Sequence, residues 1–138
     1  MTRFDEVKMV PIGIFNTDAV EIPRHWSISD VEGTLVIDQK YTDGLSGIEP
    51  GQKIVVLFHF HKSPAFDPSR HLRQIPPHRD RATGVFSICS PVRPNPIGMS
   101  VLTVLDVCKN RITVKGADMI NDTPILDIKP HIDRKVKT

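Results

Sequence analysis

Apolar positions along this chain recur in short alternating runs, not at helical spacing. β-Branched and aromatic residues gather in stretches bounded by Gly, Pro, Asn and Asp, the pattern of strands separated by turns. Read this way, the sequence predicts strands near 8–15 (KMVPIGIF), 33–38 (GTLVID), 53–61 (KIVVLFHFH) and 84–89 (GVFSIC). Further strands are predicted near 99–107 (MSVLTVLDV), 111–118 (RITVKGAD) and 125–129 (ILDIK). The stretch DVCKNRITV predicts a hairpin turning at Lys109–Asn110, because Asn tolerates the left-handed region. No long amphipathic helix with caps is visible, and residues 64–75 predict at most a short helical turn. Strands at this density without intervening helices predict an all-β barrel or sandwich.

Two irregular stretches interrupt the pattern. Residues 62–81 form the longest, and a loop of that length in a compact domain is usually functional or disordered. The other, SPVRPNPIGMS at 90–100, carries three prolines and a glycine. Proline fixes φ and removes a donor, and it drives the preceding residue, here Arg93 and Asn95, towards extended backbone. Gly98 supplies a position where φ above zero is cheap. The stretch therefore predicts a preformed turn presenting an arginine and an amide, either to a ligand or as the closure of a sheet.

Composition narrows the class. With 138 residues, 39% hydrophobic and 25% charged, the chain has the profile of one globular domain spanning 1–138. The last few residues are expected to form a frayed basic tail. No apolar run approaches a membrane span, and the first residues lack a secretory pattern, so a cytoplasmic protein is expected. Cys89 and Cys108 have neither metal-type nor redox-type spacing. The net charge of +2 is unevenly spread: residues 1–50 hold four basic against nine acidic residues. The 62–81 loop carries Lys62, Arg70, Arg73, Arg79 and Arg81 against Asp67 and Asp80, and the tail is again basic. Such clusters suit an anionic partner such as nucleic acid, and equally a solvated loop and terminus.

Individual residues leave alternatives open. His59 and His61 share one strand face at metal-ligand spacing, but a third ligand in register is missing and no metal is expected. Trp26, the only tryptophan, is placed to stack on a purine or to fill a core. Asp118, Asn121, Asp122 and Asp127 are suited to ribose hydroxyls, to an ammonium group, or simply to capping turns. No nucleophile elbow, phosphate loop or dinucleotide fingerprint is present, and no general base can be named.

Four segments, in order along the chain, resemble one family. They are PIGIF (11–15), YTDGLSGIEPG (41–51), GVFSICSPVRPNPIGMS (84–100) and DMINDTPILDIKPHID (118–133). They are similar to the TsaA-like (TrmO) family of S-adenosylmethionine-dependent tRNA methyltransferases, and the proline-rich segment is the most specific. The resemblance implies a single-sheet β-barrel, a homodimer, and S-adenosyl-L-methionine bound near the subunit interface. It implies methylation of the exocyclic N6 of a threonylcarbamoyl-adenosine beside the tRNA anticodon. Arg70, Arg73, Arg79 and Arg81 would meet RNA phosphates. The cofactor pocket carried over from the family comprises Arg24, His25, Trp26 and Ser27, then His61 and Lys62. Cys89, Arg93, Asn95 and Val101 follow from the signature segment, and Asp118, Met119, Ile120 and Asn121 from the last one.

The chain departs from the family pattern within that pocket. Cys89 stands where the family has the Arg of R-S-P, Lys62 replaces a Gln, and Asn121-Asp122 replaces Asp-Gly. His131 replaces the final Tyr of the last motif. The punctuating residues Pro94, Pro96, Gly98, Pro124 and Pro130 are retained. Four readings follow, in falling order: the family's tRNA methyltransferase, a paralogue methylating another acceptor such as a small molecule, a ligand- or RNA-binding module without transfer activity, and metal-dependent hydrolysis through His59 and His61.

Overall fold

The computed structural model describes residues 3–132. Eight strands are present: β1 (Gly13–Asn16), β2 (Glu32–Ile37), β3 (Lys53–His59), β4 (Arg73–Gln74), β5 (Thr83–Gly84), β6 (Ile97–Cys108), β7 (Arg111–Lys115) and β8 (Thr123–Pro130). Six of them close an antiparallel barrel in the order β1-β2-β7-β6-β3-β8, with β8 returning to β1. Closure leaves the barrel no unpaired edge. The alternation read from the sequence sorts side chains between its two faces. On β3, Ile54, Val56 and Phe58 point inward and are buried, while Val55 and Leu57 are half-exposed outside. Phe15, Leu35, Leu102, Ile112 and Ile125 fill the same interior at essentially zero exposure. Burial of each such side chain contributes roughly 1.5–3 kcal/mol.

The twelve-residue β6 serves two neighbours. Ile97–Thr103 pair with β3 and Thr103–Cys108 with β7, and the register shifts between Val104 and Asp106. A bulge there bends the strand so that one segment bounds two sides of the barrel. The β6–β7 hairpin turns at Lys109–Asn110 as predicted, with Lys109 taking the left-handed conformation (φ 54°) and the Asn110 amide donating to the Ile37 carbonyl at 2.6 Å.

Several boundaries differ from the sequence reading, each for a physical reason. The stretch 84–89 is not a barrel strand: β5 ends at Gly84, and Val85–Ser87 form a 3-10 turn whose only buried residue is Val85. It lies within the excursion between β3 and β6, where no barrel strand is free to pair with it. Residues 8–12 lie outside β1, whose ladder starts at Gly13 although Ile12 N already donates to the Ile125 carbonyl. β7 stops at Lys115 because Gly116 adopts φ 97°. Gly98 has no positive φ; its role is close packing, described below. The helical turn expected within 64–75 is Pro68–His71, capped by Asp67, whose carboxylate accepts from Ser69 N at 2.9 Å. That carboxyl is held below its ordinary range chiefly by the Ser69 side-chain and backbone hydrogen bonds. The basic tail expected beyond 132 lies outside the described residues.

Asp122 occupies the left-handed region (φ 68°) where the family motif has glycine. Left-handed backbone is strained for a residue with a Cβ, and Asp bears it better than most. Its Oδ1 accepts from the Asn16 amide at 3.1 Å, tying the turn to β1. Asp122→Gly is expected to raise stability by about 0.5 kcal/mol, strain relief being partly offset by the freer unfolded chain. Thermal unfolding checks this, and a lowered midpoint would mean that the Asn16 bond outweighs the strain.

Candidate active site

At one end of the barrel, five chain segments surround a cavity of about 580 Å³. They are the approach to the 3-10 turn Trp26–Ile28, the end of β3 with its continuation to Pro64, the proline-rich loop, the start of β6, and the β7–β8 connection. A volume of this size lies in the range of small-molecule sites.

The floor is built by a glycine. In the β3–β6 ladder Gly98 pairs with Phe58. A Cβ on Gly98 would fall 2.3 Å from the Phe58 ring and 2.8 Å from that of Phe60. The two rings meet edge to face, centroids 5.0 Å apart, and both line the cavity. Outward-facing His59, Ile97 and Met99 extend this wall beyond the barrel mouth.

One acidic side chain enters from the β7–β8 connection. Asp118 follows Gly116 and Ala117, whose backbone N–H groups both donate to the Val31 carbonyl. Its Oδ1 accepts a hydrogen bond from the hydroxyl of Ser100, a fully buried residue on β6. The backbone N–H of Trp26 and the His25 ring also approach the carboxylate. Burial pushes the Asp118 carboxyl above the usual carboxylate range, and the Ser100 bond, then the lesser contacts, oppose that rise. The His25–Trp26 segment is held locally. His25 Nδ1 accepts from Ser27 N at 3.2 Å, and the two rings stand 5.1 Å apart. Ser29, just beyond, donates its hydroxyl to the Ala117 carbonyl and accepts from Val31 N at 3.1 Å.

Of the residues expected in a cofactor pocket, Arg24, His25, Trp26, His61, Lys62, Cys89, Arg93, Asp118, Met119 and Ile120 line this cavity together. Four lie elsewhere. Ser27 is exposed and hydrogen-bonds His25, and Asn95 is exposed in the loop. Val101 faces outward from β6 opposite Val55. Asn121 accepts from Thr17 N at 2.9 Å and from the Asn16 amide at 3.2 Å, joining the β7–β8 turn to the chain after β1. Arg93 lines the cavity, yet its Nη1 donates to the Ile88 and Ser90 carbonyls at 3.0 and 2.9 Å, so it also fastens its own loop.

Among the arginines expected to meet RNA, Arg70 lies on the 68–71 turn and Arg73 donates to the Ala82 carbonyl at 3.2 Å. Arg79 and Arg81 border a separate surface depression with His78 and Thr83. Among the described residues no group of three potential metal ligands converges, and no helix is long and apolar enough to cross a membrane. The sequence reading missed Ser100, Phe58 and Phe60. The available signal was positional: Ser100 is a polar residue at an inward position of a strand whose other inward residues are apolar or glycine.

Residues 13–135 match the model of the tRNA-methyltransferase O N-terminal domain. The chain belongs to the tRNA-methyltransferase O family. An Archaeoglobus fulgidus relative named "S-adenosyl-L-methionine-binding protein" is 39% identical over 131 residues, covering 89% of this chain and 90% of that one. A mouse tRNA (adenine(37)-N6)-methyltransferase is 40% identical over 89 residues, covering 64% of this chain and 20% of its own length. The crystal structure of TrmO from Pseudomonas aeruginosa superposes with a TM-score of 0.73 at 26% identity, covering 96% of this chain. This chain spans 62% of that solved TrmO chain. The barrel expected from the resemblance is therefore the fold of the family, and the chain is a member of a tRNA methyltransferase family.

Proposed function

We propose that this chain binds S-adenosyl-L-methionine in the cavity at the barrel mouth and methylates the exocyclic N6 of a threonylcarbamoyl-modified adenosine beside a tRNA anticodon. The observation that carries the reading is a cavity of about 580 Å³ with one half-buried carboxylate, Asp118, set among aromatic and apolar walls and ringed by cations. That donor set fits the ligand's chemistry: a carboxylate for its cationic or hydroxyl groups, the Trp26 ring for its purine, and Lys62 or Arg24 for its carboxylate. When bound, S-adenosylmethionine supplies an electrophilic methyl group. The chain's own part is to position and to exclude water, since an exocyclic amine in a ureido group is a weak nucleophile. Phe58, Phe60 and Met99 supply the dry wall. An adenosine in an RNA loop costs less to unstack than one in a duplex, which suits such a site.

Two further expectations belong to this reading. On the barrel exterior the rungs Val55–Val101 and Leu57–Met99 form an apolar ladder running to the cavity wall at Met99. A second copy covering it would complete the site as a homodimer. The basic loop would hold tRNA phosphates through Arg70, Arg73, Arg79 and Arg81.

Calorimetric titration with S-adenosylmethionine tests the cofactor reading. Binding tighter than about 100 μM, about −5.5 kcal/mol, supports it, and no heat at millimolar ligand refutes it. Affinity for tRNA is expected to fall steeply with salt. Alanine at Arg73, Arg79 and Arg81 should flatten the slope by up to about one for each arginine that meets a phosphate. A second reading, methylation of a different acceptor, is favoured by the changed cavity residues Cys89 and Lys62. It gains if S-adenosylmethionine binds and tRNA does not bind even at low salt. Lys62 would supply the cation missing at Cys89, so Lys62→Gln should weaken S-adenosylmethionine binding severalfold; equal affinity would remove that role.

A further inference from the structure

The Ser100 hydroxyl presents a physical puzzle. It is fully buried on a strand whose neighbouring inward positions are Gly98 and Leu102, and burying a hydroxyl is unfavourable unless it is paired. Its partner is the Asp118 carboxylate, which lies in the cavity wall and not in the core. The same carboxylate is approached by the backbone N–H of Trp26. Three separate segments therefore meet at one carboxyl group: β6 through Ser100, the β7–β8 connection through Asp118, and the 3-10 turn through Trp26.

We propose that Ser100 is a positioning residue, which fixes the Asp118 carboxylate from behind the cavity wall and through it holds the Trp26 segment in place beside β6. The inference rests on the reading of the cavity as a ligand site, and it adds a residue that touches no ligand. Hydrogen bonds to a charged acceptor are the stronger kind and favour the ionised form. The clamp is therefore tightest when Asp118 is ionised and loosens when it takes a proton. Other charged or titratable groups around the cavity are Arg24, His25, His59, His61, Lys62, Cys89 and Arg93.

Trp26 is the only tryptophan, so its fluorescence reports on this segment without any ligand. Wild-type emission is expected to show an acid transition centred above the ordinary carboxylate range. In Ser100→Ala that midpoint should move to higher pH, by roughly half a unit to one unit, because the bond favouring the charged form is gone. Ser100→Thr, which keeps the hydroxyl, should bring the midpoint back towards wild type, and Asp118→Asn should abolish the transition. His25→Gln should keep the transition, with its midpoint at higher pH because the His25 ring also favours the charged form. S-adenosylmethionine affinity should fall about tenfold in Ser100→Ala at neutral pH. A merely structural Ser100 would lower thermal stability without moving the midpoint. An unmoved midpoint in folded Ser100→Ala overturns the proposal, as does an acid transition that persists in Asp118→Asn or is missing from wild type. If Ser100→Ala does not fold, the Asp118→Asn titration decides alone. Failure of the wild type to bind S-adenosylmethionine would instead refute the cofactor reading, and the fluorescence titration would still judge the clamp.

Discussion

Gly98→Ala is expected to destabilise the protein by about 1–3 kcal/mol, read as a fall in the denaturation midpoint. The added methyl would stand 2.3 and 2.4 Å from two atoms of the Phe58 ring and 2.8 Å from Phe60. Neither ring is a loose side-chain end: Phe58 is 3% exposed and belongs to the core, and Phe60 packs against that core. Backbone movement is restricted as well, because Gly98 lies inside seven consecutive rungs of the β3–β6 ladder. The rings also form the cavity floor, so the variant should lose ligand affinity together with stability. Phe58→Leu on the Gly98→Ala background should recover part of the loss, giving a coupling energy between two touching positions. An unchanged midpoint for Gly98→Ala would show that the close approach is not needed.

Asp118→Asn should move stability and binding in opposite directions. Burial holds the folded-state pKa of this carboxyl above its unfolded value, so the folded protein binds the proton more tightly than the unfolded chain does. The stability contributed by that difference is fully present below the unfolded pKa and is lost as pH rises through the folded one. At neutral pH the ionised, partly desolvated carboxylate is a burden on the fold. An asparagine of the same shape keeps an oxygen to accept from Ser100 and carries no charge. The variant is expected to be as stable as wild type at neutral pH or more so, by up to about 1 kcal/mol. Its affinity for S-adenosylmethionine should fall at least about tenfold, the scale of a lost charge-assisted bond. Paired melting curves and titrations check both halves. A variant that is less stable and binds equally well would contradict the role given to Asp118.

The contrast between these two residues shows what the sequence revealed. Asp118 was legible because it opens a motif, and short runs of β-branched and aromatic residues located most of the barrel strands. The place of the turn at Lys109–Asn110 was legible, but the left-handed residue is Lys109 and not the Asn to which backbone preference pointed. Gly98 was noticed for the wrong reason: conformational freedom can be inferred from a glycine alone, whereas the Phe58 ring opposite is a fact of register. Val85 misled in the same way, since a short apolar run between Gly84 and Pro91 reads as a strand until the six barrel strands are found to close without it. Ser27 and Asn121 adjoin cavity residues in sequence, and Asn95 and Val101 lie two positions from one, but strand pleating and local hydrogen bonds direct them elsewhere. Ser100 carries no chemical signature of its own, and only the partner reaching it from eighteen residues away gives it meaning.

The chain between His59 and Ile97, which carries both short strands β4 and β5 and the arginine-rich loop, departs from and returns to two strands that are direct barrel neighbours. Those strands pair along their length whatever the connection contains, and the entropy of closing a loop grows only slowly with its length. The middle of this excursion, away from the cavity-lining residues at its two ends, is thus where the barrel can accept insertions and deletions without refolding. Relatives could diverge in the partner they accept by rewriting the part of this segment between Pro64 and Ile88, while Phe58 and Gly98 stay anchored in a ladder that the change never reaches.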